Sequence, residues 1–91
     1  MQFEWDKQKA GQNLIKHGVA FEEASTVFGD TLSITIYDKM HSIKEDRFIT
    51  IGMSRSLRIL VVVHADLDDI VRIISSRVAN KSERNQYEPK Q

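Results

Sequence analysis

Ninety-one residues with 13 basic and 13 acidic side chains, a formal net charge of zero and no cysteine describe one small domain. At this length only a little over ~60% of the unfolded surface is buried, so the core is thin. The charge balance excludes a globally cationic nucleic-acid binder and leaves room only for a local patch. The missing cysteines exclude disulfides, thiolate metal sites and a cysteine nucleophile.

The chain starts Met1-Gln2-Phe3-Glu4-Trp5-Asp6, without the basic and apolar regions of a signal peptide. Phe3-Glu4-Trp5 alternates aromatic and acidic residues, and Asp6 offers a cap to a helix predicted over 7–17. Ala10 and Leu14 lie on one face of that helix, and Gly18 is placed to end it. A second short helix is predicted over 21–28, with Phe21, Ala24, Val27 and Phe28 on one side, Gly29 at its end and the poor cap Ala20 before it.

The period then changes. Leu32, Ile34 and Ile36 alternate with Ser33, Thr35 and Tyr37, as in a half-buried strand. Residues 38–44 are polar and predict a mobile connection. Strands over 45–53 and 57–65 follow, joined by a tight turn at Ser54-Arg55-Ser56, and residues 66–69 turn the chain into a strand over 70–76. Turns this short force antiparallel pairing. In the polar tail, Asn80-Lys81-Ser82-Glu83 has the form of a capping box, Tyr87 is the one large apolar side chain, and Pro89 stops the helix. A helix so short and polar either frays or docks through Tyr87. The fold class is α+β: a short N-terminal strand and two helices on a mainly antiparallel sheet, then a short C-terminal helix.

One strand is apolar on both sides. Ile59, Val61 and Val63 point one way, Leu60, Val62 and His64 the other. Such a strand is covered on both faces, and two short helices cover only one. A partner chain is the economical cover for the second. The apolar run 59–63 is far short of the ~18 residues of a membrane span, so a soluble cytoplasmic domain without a membrane partner is expected.

Two arginines, Arg47 and Arg72, sit inside strand-like runs, and Arg77 follows close behind. A guanidinium cannot shed its charge, so each must face solvent, pair with a carboxylate or await an anion. Ion pairs with Glu45, Asp46 or Asp69 are the plain alternative to a phosphate site built by Arg forks. Strict alternation puts Arg77 on the opposite face from Arg72. The three histidines, His17, His41 and His64, have no partner at a metal-ligand spacing, which predicts no metal and no cofactor. His17 fits the last turn of a helix, His64 a hydrogen-bonded core position, and His41 a solvated loop. Ser75 and Ser76 lack a nucleophile elbow, and no glycine-rich phosphate loop exists.

Phe3-Glu4-Trp5-Asp6, Lys16-His17-Gly18-Val19 with Phe21-Glu22-Glu23-Ala24, Arg47 to Gly52, and Arg72 to Arg77 occur in the order seen in the BrnT family, which the chain resembles from Phe3 to Tyr87. The resemblance implies a RelE-like toxin of a type II toxin–antitoxin system that cleaves RNA without a metal. It also implies a BrnA-like ribbon-helix-helix antitoxin, with DNA bound only through the complex, and a homodimer or larger assembly with that antitoxin. Ala20, Ser76 and Val78 depart from the family pattern, where Ser, Ala and a basic residue are usual. In this chemistry Arg72 and Arg77 bind the phosphate and its transition state, Arg47 is a third contact, Glu45 and His17 are the base and acid candidates, and Lys16 steers backbone phosphates. A non-catalytic module binding nucleic acid or protein through the same arginines is the alternative, and a structural domain with the arginines in ion pairs is a third reading.

Overall fold

The computed structural model describes residues 1–88; the expected stop at Pro89 lies outside them. The order is β1 (Gln2–Glu4), α1 (Lys7–His17), α2 (Phe21–Ser25), β2 (Ile34–Tyr37), β3 (Arg47–Met53), β4 (Ile59–Leu67), β5 (Ile70–Val78) and α3 (Lys81–Tyr87). The five strands form one sheet ordered β1-β5-β4-β3-β2, antiparallel except for β1 beside β5. The α+β class and the strand succession agree with the periodicity. The second helix is shorter than predicted: after Ser25 the chain tightens into a 3-10 turn over Thr26–Gly29.

Helix α1 begins at the Asp6 cap and ends at Gly18, whose φ of 68° is the left-handed conformation glycine adopts freely. Its inward face is the predicted one only in part: Ala10 packs against the core. Leu14 is half exposed, while Asn13 is buried. The cause is β5, whose edge runs on beyond the three residues paired with β1. There the Asn13 side chain takes the place of a neighbouring strand: Nδ2 donates to Ser76 O (2.8 Å) and Val19 O (2.9 Å), and Oδ1 accepts from Ser76 N (3.1 Å). A buried sheet edge needs such partners.

The double-sided character of β4 is confirmed. Leu60 and Val62 join Val19, Phe21, Ala24, Val27 and Ile73 under the helices, whereas Ile59 and Val61 join Ile51, Ala79 and Tyr87 on the other face. The chain therefore covers part of the second face itself, with α3 docking through Tyr87. A partner is not needed at that end. At the other end Ile36 stays half exposed, and Ile34, Ile49 and Val63 are partly buried.

Asp30 fixes the docking. Its Oδ2 accepts from Met53 N (2.8 Å) and from the Tyr87 hydroxyl (2.5 Å), and its Oδ1 accepts from Leu32 N (2.9 Å). Burial opposes the carboxylate, yet these hydrogen bonds outweigh it and hold Asp30 below its ordinary 3.8. The same bond, with burial, pushes the Tyr87 hydroxyl from 10.0 up to about 12. On the helix side, Arg58 donates to Glu23 through Nε (2.9 Å) and Nη2 (2.5 Å), clamping α2 to the β3–β4 turn.

Two expectations follow for stability. Asn13→Ala leaves the Ser76 backbone groups unpaired and should cost about 2 kcal/mol or more, whereas Ser76→Ala, which removes a buried hydroxyl lacking a partner among the described residues, should cost nothing or stabilise; chemical denaturation measures both. A Tyr87 pKa raised on folding contributes stability below pH 10.0 that disappears as pH rises through about 12. Alkaline titration of wild type and Tyr87→Phe should therefore show a loss of stability in that window for wild type alone.

Candidate active site

Register places the arginines. Arg47 of β3 pairs with Ala65 of β4, and Ala65 pairs with Arg72 of β5, so both side chains rise from one row on the face opposite α1 and α2. Two strand spacings separate their Cα atoms by roughly 10 Å, with only the Ala65 methyl between, and both long side chains can reach one anion. That anion is Glu45. Arg72 Nη2 donates to Glu45 Oε1, and Arg47 Nε lies 3.6 Å from Glu45 Oε2. All three side chains are about one-third exposed or less, at 34%, 35% and 27% for Arg47, Arg72 and Glu45. Arg47 Nε is buried and has no hydrogen-bond partner among the described residues. A buried charged donor without a hydrogen bond is rare, and here the Glu45 carboxylate lies just beyond hydrogen-bond length.

The next row across the same face is Ile36, Ile49, Val63 and Ser75, and beyond it lies the row Ile34, Ile51, Val61 and Arg77. The expectation that Arg72 and Arg77 oppose each other is overturned. The β4–β5 register shifts between Val63 and His64, leaving Ile74 as an extra residue in β5. This bulge re-phases the strand and returns Arg77 to the Arg72 face. Their Cα atoms are still separated by roughly 16 Å along the strand. Arg77 instead forks onto Glu83, both bonds 2.7 Å. Glu83 Oε1 also accepts from Asn80 N (2.9 Å), closing the capping box of α3. The Arg77 fork is the leading reason that the Glu83 carboxyl lies below its ordinary value and the Arg77 guanidinium above its own.

Lys16 and His17 are not brought to this cluster. They line a separate cleft of 280 Å3 with Lys9, Gln12, Asn13, Ile74 and Ser75, at the edge of β5 beside α1. His64 is the core residue that its position implied. It is buried, with Nε2 2.8 Å from Thr50 Oγ1 and Nδ1 2.7 Å from Asp66 Oδ1, against Phe28 and Phe48.

The connection predicted to be mobile is built instead. Asp38 N donates to Arg47 O (2.8 Å), Ser42 Oγ donates to Asp38 O (2.5 Å), and Arg47 N donates to Ser42 Oγ (3.0 Å). A 3-10 turn over Lys39–His41 lies inside it, and the Tyr37 hydroxyl ties Asp46 at 2.9 Å. The fold of this loop opens a cavity of 470 Å3 lined by Met40, His41, Ile43, Lys44, Glu45 and Arg47. His41 and Lys44, which line this cavity, are not among the candidates singled out in the sequence, where His41 reads as a solvated loop residue. The spacing Asp38-x-x-His41, a carboxylate and an imidazole one turn apart, is the signal that could have found the first. No three His, Asp or Glu side chains converge as a metal site among the described residues.

A crystal structure of the Brucella abortus ribonuclease toxin BrnT, at 1.1 Å resolution, superposes with a TM-score of 0.68 and 25% identity over 89% of this chain and 99% of that one. No curated protein matches the chain. The model of the family described as ribonuclease toxin, BrnT, of type II toxin–antitoxin system matches residues 5–83, a span that holds β2 to β5, both N-terminal helices and every residue of the Arg47–Glu45–Arg72 cluster. This chain belongs to the BrnT family of type II ribonuclease toxins.

Proposed function

We propose that the chain is a metal-independent endoribonuclease of the cytoplasm, built on a RelE-like sheet, whose active centre is Arg47, Arg72 and Glu45. The observation that carries this reading is the convergence of two arginines on one carboxylate, with the Arg47 Nε–H buried and without a partner among the described residues. RNA brings its own nucleophile. When the 2′-hydroxyl attacks the adjacent phosphate, the protein supplies a base, an acid and positive charge on the phosphorane. Glu45, held between two guanidinium groups, is suited to take the 2′-hydroxyl proton. The arginines then meet the charge that develops on the phosphate oxygens. Arg77 is committed to Glu83 and serves the docking of α3, while Lys16 and His17 line a cleft that suits flanking backbone phosphates.

Membership of a type II family implies an antitoxin partner. We read that partner as a BrnA-like chain with a ribbon-helix-helix DNA-binding domain. The surface that suits it is the strip Ile36–Ile49–Val63 beside Arg47 and Arg72, which asks for apolar side chains next to acidic ones. The chain's net charge of zero supports leaving operator binding to the complex.

Purified protein should cleave single-stranded RNA in excess EDTA and leave 2′,3′-cyclic phosphate or 3′-phosphate ends. A strict need for added magnesium, or 3′-hydroxyl ends alone, would contradict the mechanism. Arg72→Ala should lower the rate by ~100-fold or more with little change in thermal midpoint. Loss of several kcal/mol of stability with activity intact would instead make Arg72 a structural ion-pair member. Arg77→Ala should chiefly loosen α3. In an operator-binding assay the complex should bind tightly and the toxin alone should not; tight sequence-specific binding by the toxin alone would favour the non-catalytic nucleic-acid module.

A further inference from the structure

Cleavage by Glu45, Arg47 and Arg72 leaves the departing 5′-oxygen without an acid, and His17 lies in another cleft. The loop before β3 holds a group suited to the task. His41 brings Nδ1 to 3.0 Å from Asp38 Oδ2 and 3.2 Å from Asp38 Oδ1. The carboxylate is 13% exposed and the imidazole 67%. A sheltered carboxylate on one ring nitrogen sets the tautomer and orientation of an accessible histidine, and its other nitrogen remains available for proton transfer.

The orienting group is itself held. Asp38 stands at the end of β2, with its backbone N–H on Arg47 O and its carbonyl on the Ser42 hydroxyl. Arg47 N–H returns to that same hydroxyl, so the turn bearing His41 is hydrogen-bonded to the residue that carries the orphan donor of the active centre. His41, Glu45 and Arg47 line one cavity. Lys39, Lys44 and Asp46, the last bonded to the Tyr37 hydroxyl, are the other charged side chains of the loop.

We propose that His41 is the general acid of RNA cleavage and that Asp38 is its positioning residue, an inference that rests on the ribonuclease reading above. In the step, the P–O2′ bond forms as the P–O5′ bond breaks. Glu45 accepts the 2′-hydroxyl proton, and the His41 imidazolium gives its Nε2 proton to O5′. The products are a 2′,3′-cyclic phosphate and a 5′-hydroxyl, with no change of oxidation state.

The test compares ordinary RNA with RNA carrying sulfur in place of the bridging 5′-oxygen at the scissile linkage, because a thiolate leaves without being protonated. His41→Ala should lose ~100-fold or more on the ordinary substrate and less than about tenfold on the sulfur substrate. Asp38→Asn should show the same selectivity with a smaller loss. An unchanged thermal midpoint for His41→Ala is expected of an exposed ring. Equal losses on both substrates would assign His41 to binding or folding and overturn the inference. Undiminished activity on ordinary RNA would overturn it too, while leaving the Glu45 and arginine assignments standing. A wild-type chain inert on both substrates would overturn the ribonuclease reading and the inference together.

Discussion

Two guanidinium groups in one row at the end of a mainly aliphatic sheet face, Arg47 and Arg72, are the constraint around which this end of the molecule is built. Arg47 and Arg72 flank the Ala65 methyl, and a guanidinium is a cation that needs water or an anion beside it. Only an anion nearby makes the arrangement tolerable, and Glu45 supplies it from the last turn of a loop rather than from the sheet. That loop must therefore be shaped, not slack. Ser42 and Asp38 bind it to the first residue of β3, and the cavity beside the arginines is the result. A single carboxylate does not satisfy both guanidinium groups, since Arg47 Nε is left over. In the proposed reading, a phosphate would meet the guanidinium donors that Glu45 does not engage.

The rest of the fold holds this row in place. β4 is buried on both faces, so it needs cover on both, and the chain divides the work. α1 and α2 cover one face, with Asn13 serving as a substitute strand for β5. α3 covers the far end of the other through Tyr87 and Asp30. Between the Tyr87 end and the arginine row the strip Ile36–Ile49–Val63 stays accessible. The proposed antitoxin contact is on this strip, which is apolar and flanked by positive charge.

Much of this was legible in the residues. The Asp6 cap and Gly18 stop of the helix over 7–17, the alternation in residues 59–64 and the Asn80–Glu83 capping box are local patterns, and each appears in the structure where it is predicted. Three features were not legible because they depend on contacts far apart in sequence. The bulge at Ile74 leaves no mark in a run of β-branched residues, and it reverses which arginines share a face. The burial of Asn13 instead of Leu14 depends on where β1 stops pairing with β5, 63 residues from Asn13 in the case of Ser76. The order of residues 38–46 comes from hydrogen bonds to Arg47 that a polar composition does not announce. Arg47 and Arg72 stand out in the sequence as charges inside β-branched runs, but Glu45 is there one of three possible carboxylate partners, and the separation of Arg77 and His17 from this cluster required the fold.

The central claim is that RNA phosphate binds between Arg47 and Arg72 and takes over part of the role of Glu45. Titration of the isotope-labelled protein with a 2′-O-methyl RNA, which binds but has no nucleophile, tests it most directly by following the arginine Nε–H resonances. The account predicts saturable shifts at Arg47 and Arg72, with Arg77 little changed. Saturation at the Lys9–Lys16–His17 cleft with Arg47 and Arg72 unmoved would contradict it.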